Sequence, residues 1–174
     1  MTATKKSIIL TLATVLALGA AGVSASGMGH GAKHEAFAQT RISAAQAVDA
    51  AVSRVQGQPV EVDFSYKNGR SYYKVEIVSG SRQQEVFVDA SNGSVIDTRP
   101  DYDDKRRVVP QTGVSLKQAL AAAEAKVGGR AKDAELKHKG AQPVYQVEVV
   151  KGAEKYEVRV DAANGQVLSS HIDM

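Results

Sequence analysis

The sequence predicts an α+β protein built from two tandem repeats, each with one helix packed on a small antiparallel β-sheet. Residues 42–97 align without a gap on residues 114–169, and about 21 of the 56 aligned positions are identical. Each copy opens with the apolar spacing of a helix and then changes to the strict alternation of strands. A chain of 174 residues with 43% apolar content is long enough for two such small domains.

Each predicted helix begins at a capping box, in which a serine is followed three residues later by a glutamine. Apolar residues then form one stripe along each helix. The predicted helices cover roughly residues 44–56 and 116–128, and a left-handed glycine is expected to end each of them. The serine, glutamine and final glycine are Ser43, Gln46 and Gly57 in the first copy and Ser115, Gln118 and Gly129 in the second.

Four strands are predicted after each helix. In the first copy, Val60, Val62 and Phe64 alternate with polar residues, as in a strand with one buried face. The dipeptide Asn68-Gly69 predicts a two-residue hairpin, because both positions need a positive φ. The later strands contain Tyr73, Val75, Ile77, Val86, Val88, Val95 and Ile96, and the second copy repeats them through Tyr145, Val147, Val149, Val158, Val160, Val167 and Leu168.

An aspartate followed by asparagine and glycine precedes the last strand of each copy. The pairs are Asp89 with Asn92 and Asp161 with Asn164. This pattern offers too few ligands for calcium. We therefore expect both side chains to hold a tight turn through bonds to the local backbone.

The N-terminus has the three parts of a secretory signal. Lys5 and Lys6 precede an apolar stretch over residues 8–23, and Val23-Ser24-Ala25 fits a cleavage site after Ala25. A permanent membrane anchor is the alternative, but the stretch is shorter than the roughly 20 apolar residues that span a bilayer. The sequence thus predicts a periplasmic or secreted protein with no stable membrane anchor after cleavage.

Composition excludes several classes of function. The chain has no cysteine, which excludes disulfides, Cys-ligated metals and thiol catalysis. Its formal net charge is +3, and cleavage after Ala25 would leave about +1. A nearly neutral protein has no electrostatic basis for binding nucleic acid.

The domain organisation follows from these observations. Pro100 and Pro110 bracket a polar, mixed-charge linker between the copies. The predicted segments are a signal peptide over 1–25, a flexible Gly/His segment over 26–40, the first repeat over 41–98, the linker over 99–113 and the second repeat over 114–172.

The end of each repeat resembles the PepSY domain. The resemblance rests on the capped helix, the Tyr-x-Val strand and the Val-Asp-Ala-x-Asn-Gly-x-Val run that closes at Val95 and Val167. It implies a helix crossing an antiparallel sheet, somewhat like cystatins. PepSY units occur in propeptides of secreted metallopeptidases, where they are thought to restrain the protease, and in stand-alone exported bacterial proteins. We expect no peptidase domain to accompany the repeats, and the family offers no catalytic residues to carry over.

Few residues are candidates for chemistry, and no catalytic constellation or cofactor motif is present. Met28, His30 and His34 carry ligand types that suit copper, so they are the candidate metal ligands, with an incidental spacer as the alternative reading. His138 takes the place of Tyr66 in the repeat, which favours a structural role, and His171 lies near the C-terminus.

We therefore expect an exported, non-enzymatic protein-binding module that restrains or modulates a peptidase. Its partner would be a peptidase or an envelope sensor, and strand addition at a free sheet edge is the expected mode of binding. An envelope metal-handling or metal-sensing protein that uses the N-terminal Met/His segment is the alternative. Because a unit of this size has little core of its own, the two copies are expected to pack against each other or against the linker.

Overall fold

The computed structural model describes residues 28–101, 109–139 and 142–173, with the backbone alone for residues 28–30 and 139. The predicted signal peptide lies outside these residues. The elements in chain order are α1 Met28–Ala38, α2 Ala44–Arg54, β1 Gln58–Lys67, β2 Arg70–Ser79, β3 Arg82–Asp89, β4 Val95–Pro100, α3 Leu116–Val127, β5 Arg130–Lys139, β6 Gln142–Lys151, β7 Glu154–Asp161 and β8 Val167–Ile172.

The α+β repeat is confirmed: α2 and β1–β4 form the first copy, and α3 and β5–β8 form the second. Both predicted capping boxes are present. The Gln46 N–H donates to Ser43 Oγ (3.2 Å), and the Ser43 N–H donates to Gln46 Oε1 (2.8 Å). Ser115 and Gln118 make the same two bonds at 3.3 and 2.8 Å. These bonds satisfy backbone donors that would otherwise lack a partner at the start of each helix.

The predicted alternation also holds. Val62, Phe64, Tyr73 and Val75 are buried against the helices. Asn68-Gly69 joins β1 to β2 with φ values of 52° and 75°, as the hairpin prediction requires.

The predicted ends of the helices are wrong. Gly128, with φ 74°, ends α3 one residue early, and α2 ends without a left-handed residue. Gly57 and Gly129 instead lie where the chain passes close to β2 and β6. A Cβ would stand 2.6 Å from the Val78 carbonyl oxygen at Gly57 and 2.5 Å from the Val150 carbonyl oxygen at Gly129. Close backbone approach therefore requires both glycines.

The two copies share one sheet instead of carrying a separate sheet each. Its strand order is β4-β3-β2-β1-β5-β6-β7-β8, so β1 of the first copy pairs with β5 of the second. This antiparallel seam joins Glu61 to Glu135 and Val62 to Ala134. Val62 and Ala134 correspond to each other in the repeat, and an exchange of the two copies therefore leaves this pair in place. The sheet has a pseudo-two-fold axis through the seam.

Reciprocal contacts reinforce the seam, as the expected packing of the copies requires. Arg130 at the start of β5 lies over the Phe37 ring (5.1 Å to its centroid) and donates to Thr40 Oγ1 (2.7 Å). At the start of β1, Gln58 donates to Thr112 Oγ1 (3.4 Å). Arg130 and Gln58 are equivalent in the repeat, as are the two threonines. Each copy thus reaches across the seam to the segment that leads into the other copy's helix.

The segment expected to be flexible before the first repeat contains helix α1. Its anchor is Phe37, which is 2% exposed. The Phe37 ring meets Phe64 edge to face at 5.3 Å, and Phe64 meets Tyr73 in the same way at 5.5 Å. This aromatic contact with the core holds a helix that its glycine-rich sequence does not favour.

The described helices α1, α2 and α3 pack on one face of the sheet, and the opposite face is mainly polar apart from the Tyr72–Phe87 ring contact at 5.8 Å. Within the described residues, no helix has both the length and the apolar character needed to cross a bilayer.

Candidate protein-binding edge

The sheet ends at two edge strands, β4 and β8, which are equivalent in the repeat. An edge strand presents backbone N–H and C=O groups that another chain can pair with, and proteins usually block such edges with charges, proline or bulges. The two edges differ in this respect.

The β4 edge is blocked. The Asp101 N–H donates to the Gln83 carbonyl (2.9 Å), so by strand alternation the backbones of Thr98 and Pro100 point away from β3. Pro100 has no N–H to offer. The Thr98 N–H donates to Asp97 Oδ1 (2.8 Å) within the strand.

Charge adds to the block at β4. Arg99 Nε lies 2.7 Å from Asp97 Oδ2 on the outer strand. The bond from Arg99, with the backbone bond from Thr98, lowers the pKa of the Asp97 carboxyl. This carboxylate is therefore ionised at neutral pH, and a strand arriving at β4 meets a fixed pair of charges.

The β8 edge is open. Residues 167–172 contain no Asp, Glu, Lys, Arg or Pro. Leu168 and Ile172 are 52% and 49% exposed, so each leaves about half of a large apolar side chain in water. His171 is the one titratable side chain of the strand, and its Nε2 lies 3.8 Å from Glu157.

The backbone of β8 offers both donors and acceptors outward. The Asp173 N–H donates to the Lys155 carbonyl (2.9 Å), so Ser170 and Ile172 turn their N–H and C=O groups away from β7. A β-bulge interrupts the alternation at Leu168, so Ser170 and Ile172 are the residues that this argument places outward. Ile172 is the counterpart of Pro100, so this edge keeps the donor that β4 lacks. Among the described strands, β8 is the edge best suited to backbone pairing with another chain.

A second feature is an acidic row on the helix-free face of the sheet. Glu85, Glu76, Glu61 and Glu135 lie opposite one another on β3, β2, β1 and β5. Lys74 Nζ lies 3.5 Å from Glu61 and 3.3 Å from Glu85 and partly neutralises the row. Beside the seam this face has a depression of about 280 Å³. In the described part of the chain, no three His, Asp or Glu side chains are grouped so as to hold a metal ion.

Lys132 occupies a bulge of β5 beside this depression and is 7% exposed. Its Nζ lies 2.7 Å from Asp133 Oδ2 and 2.6 Å from Glu148 Oε1. Burial alone would lower the pKa of Lys132, but the two carboxylates outweigh it and raise the pKa. The ammonium is therefore charged and paired with two carboxylates, which makes it a structural ion-pair centre.

The structure places the sequence-predicted metal candidates on α1. Positions 28, 30 and 34 lie within this helix, and the side chains of Met28 and His30 are outside the description. His34 is half-buried. The copper site therefore stays a prediction, now on a helical backbone instead of a flexible one.

The two Asp–Asn pairs have the predicted turn role. The Asp89 carboxylate accepts from the Ser91 N–H (2.8 Å), and Asp161 accepts from the Ala163 N–H (2.7 Å). Asn92 and Asn164 accept from the N–H groups two residues on, at 2.8 and 2.9 Å. The bonds of Asp89 to Ser91 lower its pKa.

His138 is exposed at the end of β5 and lines a shallow pocket with Pro110 of the linker. Sequence reasoning named neither β8 nor its outward residues as a site. The signal was present, because aligning 97–100 on 169–172 pairs charged and proline positions with uncharged ones.

Comparison with known proteins gives one family. The model of PepSY, described as the peptidase propeptide and YPEB domain, matches residues 41–99 and 113–171, which together exceed half of the chain. The uncharacterized protein YkoJ of Bacillus subtilis (strain 168) is 23% identical over 171 residues, covering 97% of this chain and 98% of that one.

Two solved structures are also similar. A crystal structure of a Clostridium difficile 630 protein has a TM-score of 0.47 and 17% identity, over 77% of this chain and 95% of the other. The Bacillus megaterium YpeB C-terminal domain has a TM-score of 0.33 and 12% identity, over 78% of this chain and 67% of that domain.

Proposed function

The chain belongs to the PepSY family, and from this premise we propose that it is an exported, non-enzymatic module that binds another protein through the open edge of β8. The observation that carries the proposal is the contrast between the edges. The two strands are equivalent in the repeat, but β4 is blocked by Asp97, Arg99 and Pro100. The β8 strand keeps its outward donors and has the exposed Ile172 where β4 has Pro100.

Strand addition suits this edge because main-chain bonds supply affinity and alternate side chains supply specificity. A captured segment would lie antiparallel or parallel to β8, with Ser170 and Ile172 beside it on the helix-bearing face.

The partner class we propose is a secreted or envelope peptidase. The family's description as a peptidase propeptide domain supports it, as does the predicted signal peptide over 1–25. In this proposal the open edge holds an extended segment of the peptidase and restrains its activity.

The test compares Ser170→Pro with Thr98→Pro, its equivalent on β4. Proline at position 170 removes an outward N–H and leaves the bonds to β7 in place, so the fold should tolerate it. Each variant is co-expressed with a secreted metallopeptidase that has lost its own propeptide, and casein hydrolysis by the secreted fraction is measured.

Wild type and Thr98→Pro should suppress hydrolysis and co-purify with the peptidase. Ser170→Pro should bind at least about tenfold more weakly, because a backbone bond worth about 1 kcal/mol is lost and the ring hinders approach. Circular dichroism melting of each variant checks the fold. Equal suppression by the two proline variants, or none by wild type, would overturn the proposal.

The metal alternative keeps one supporting observation: positions 30 and 34 are one helical turn apart on α1. Deleting the segment is no longer a clean test, because Phe37 on the same helix is part of the core. Copper titration of wild type and of the double variant His30→Ala, His34→Ala distinguishes a metal site on α1 from histidines with no metal role. Equal affinity in both would remove this site.

A further inference from the structure

The two copies differ in how they fill one equivalent position, beside the segment that leads into each capped helix. In the first copy, the guanidinium of Arg130 occupies this position. Its Nη2 donates to Thr40 Oγ1 (2.7 Å) and reaches the Ile42 carbonyl oxygen (3.5 Å). The second copy has Gln58 in place of Arg130, with a shorter and uncharged side chain. The first copy therefore shows which group this position binds.

The oxygen acceptors of the two copies are held in the same way. In each copy, two successive N–H groups of the segment donate to one carbonyl oxygen in the turn before the last strand. These residues are Arg41, Ile42 and Ala90 in the first copy and Gly113, Val114 and Ala162 in the second. A buried tyrosine also donates to the second carbonyl of each segment, from Tyr73 to Ile42 (3.5 Å) and from Tyr145 to Val114 (3.0 Å). The second copy therefore presents the same acceptors as the first.

An open pocket lies beside these acceptors in the second copy. Its volume is about 380 Å³, and small-ligand pockets usually measure about 300–1,000 Å³. The residues that line this Gln58 pocket include Gln58, Pro59, Thr112, Val114, Leu116 and Tyr145. Thr112 Oγ1 accepts a long bond from Gln58 Nε2 (3.4 Å). A carbonyl oxygen has two lone pairs, so Val114 can accept a second donor beside Tyr145.

The chemistry of the Gln58 pocket favours an arginine side chain as its occupant. A guanidinium carries several donors in a fixed fork and is weakly hydrated, whereas the lysine ammonium is compact and strongly hydrated. Pro59 and Leu116 supply apolar surface that suits the methylene stem of arginine. Val109 takes the place of Phe37 in the repeat, so the ring contact that Arg130 makes in the first copy is missing here. A single bound arginine is therefore held weakly.

From this comparison we infer that the Gln58 pocket receives an arginine side chain of another protein. The bound guanidinium takes the position that Arg130 fills from within the chain in the first copy, and it donates to Thr112 Oγ1 and the Val114 carbonyl oxygen. The pocket does not include β8. The inference therefore adds a second contact for a partner and does not depend on strand addition at the open edge.

The test uses N-acetyl-arginine amide as the probe and N-acetyl-lysine amide as its control. Amide signals of the isotope-labelled protein are followed by NMR during titration with each compound. The arginine probe should shift the Gly113 and Val114 signals and saturate in the millimolar range, because one side chain makes few contacts. The lysine control should bind at least about tenfold more weakly.

Two variants test the position of the bound group. Gln58→Arg should fill the pocket from within, as Arg130 does in the first copy, and should abolish binding of the probe. Gln56→Arg is the matched control, because it adds the same charge at a neighbouring exposed position outside the pocket. Thr112→Val removes one acceptor with little change of shape and should weaken binding about fivefold. Circular dichroism melting checks the fold of each variant.

Three results would overturn the inference: no saturable shift at Gly113 and Val114, equal affinity for the two probes, or unchanged binding by folded Gln58→Arg. Ser170→Pro should bind the arginine probe as wild type does. The peptidase assay therefore remains a separate test of the open edge. A protein that binds the probe but never restrains a peptidase would keep the arginine site and lose the proposed function.

Discussion

At the scale of single residues, Asp133 combines two tasks at the seam. Its Oδ1 accepts the Phe64 N–H across the seam at 2.7 Å, and its Oδ2 binds Lys132 at 2.7 Å. Burial raises the pKa of the Asp133 carboxyl, and the nearby Asp63 carboxylate adds to the rise. The seam therefore holds a carboxylate that is costly to ionise yet supplies a bond between the copies.

This conflict predicts that the effect of Asp133→Asn on the free energy of unfolding depends on pH. A carboxyl with a higher pKa in the folded chain than in the unfolded chain binds its proton more tightly when folded, so protonation favours folding. The stabilisation is complete below the ordinary value of 3.8 and is lost as pH rises through the raised pKa. Asparagine keeps an oxygen for the Phe64 N–H but does not titrate.

The unfolding free energy of wild type, minus that of the variant, should therefore increase as pH falls from 7 toward 4 and then level off. Urea denaturation at several pH values measures this difference, in which titrations common to both proteins cancel. A difference that is flat over that range would contradict the assignment of a raised pKa to Asp133.

At the scale of elements, the caps of helices α2 and α3 contribute to stability, and this contribution can be tested without affecting the binding edge. Ser43 and Ser115 each accept one backbone bond at the start of a helix. Replacing either by alanine should cost about 1 kcal/mol of unfolding free energy, as is usual at N-caps. Guanidinium denaturation measures the cost.

Ser53 provides the matched control on α2. Its hydroxyl donates to the Asp49 carbonyl (2.8 Å) inside the helix, a bond that adds little to stability. Ser53→Ala should thus leave the midpoint nearly unchanged or raise it slightly. A cost for Ser53→Ala equal to that for Ser43→Ala would show that the capping bond is not the cause.

The two edge strands show why a binding edge could not be predicted from the local sequence pattern. Both strands begin with a half-buried valine followed by an exposed apolar residue, so this local pattern does not distinguish β4 from β8. What separates them is a small set of outward positions, where Thr98 and Pro100 stand against Ser170 and Ile172. Helix α1 was not predicted because its glycines disfavour a helix. Phe37 stabilises this helix through contacts with core residues that are distant in the sequence.

At the scale of the whole molecule, the sequence predicts the repeat but does not predict how the two copies join. Capping boxes and alternation are local, so Ser43 and Val62 already predict a helix and a strand. The seam depends on which strand edges pair. The charges argue against the observed pairing, because Glu61 lies opposite Glu135. Each of these carboxylates has a lysine partner, because Lys74 Nζ lies 3.5 Å from Glu61 and Lys137 forms an ion pair with Glu135.

The seam predicts that the first copy depends on the second. Expression of residues 26–99 alone removes the β5 pairing partner, the Arg130 guanidinium over Phe37, and the ion pair of Lys117 with Asp49 (2.6 Å). A unit of this size nets only about 3–5 kcal/mol without such support. Thermal unfolding followed by circular dichroism should show one transition for the full chain and a lower, broader one for the fragment.

The fragment also exposes β1, which could rebuild the seam with a second fragment about Val62, the residue on the pseudo-two-fold axis. Its melting temperature should therefore rise with concentration. If a dilute, monomeric fragment melted as sharply and at the same temperature as the full chain, the two copies would be independent domains. The continuous sheet would then contribute nothing to stability.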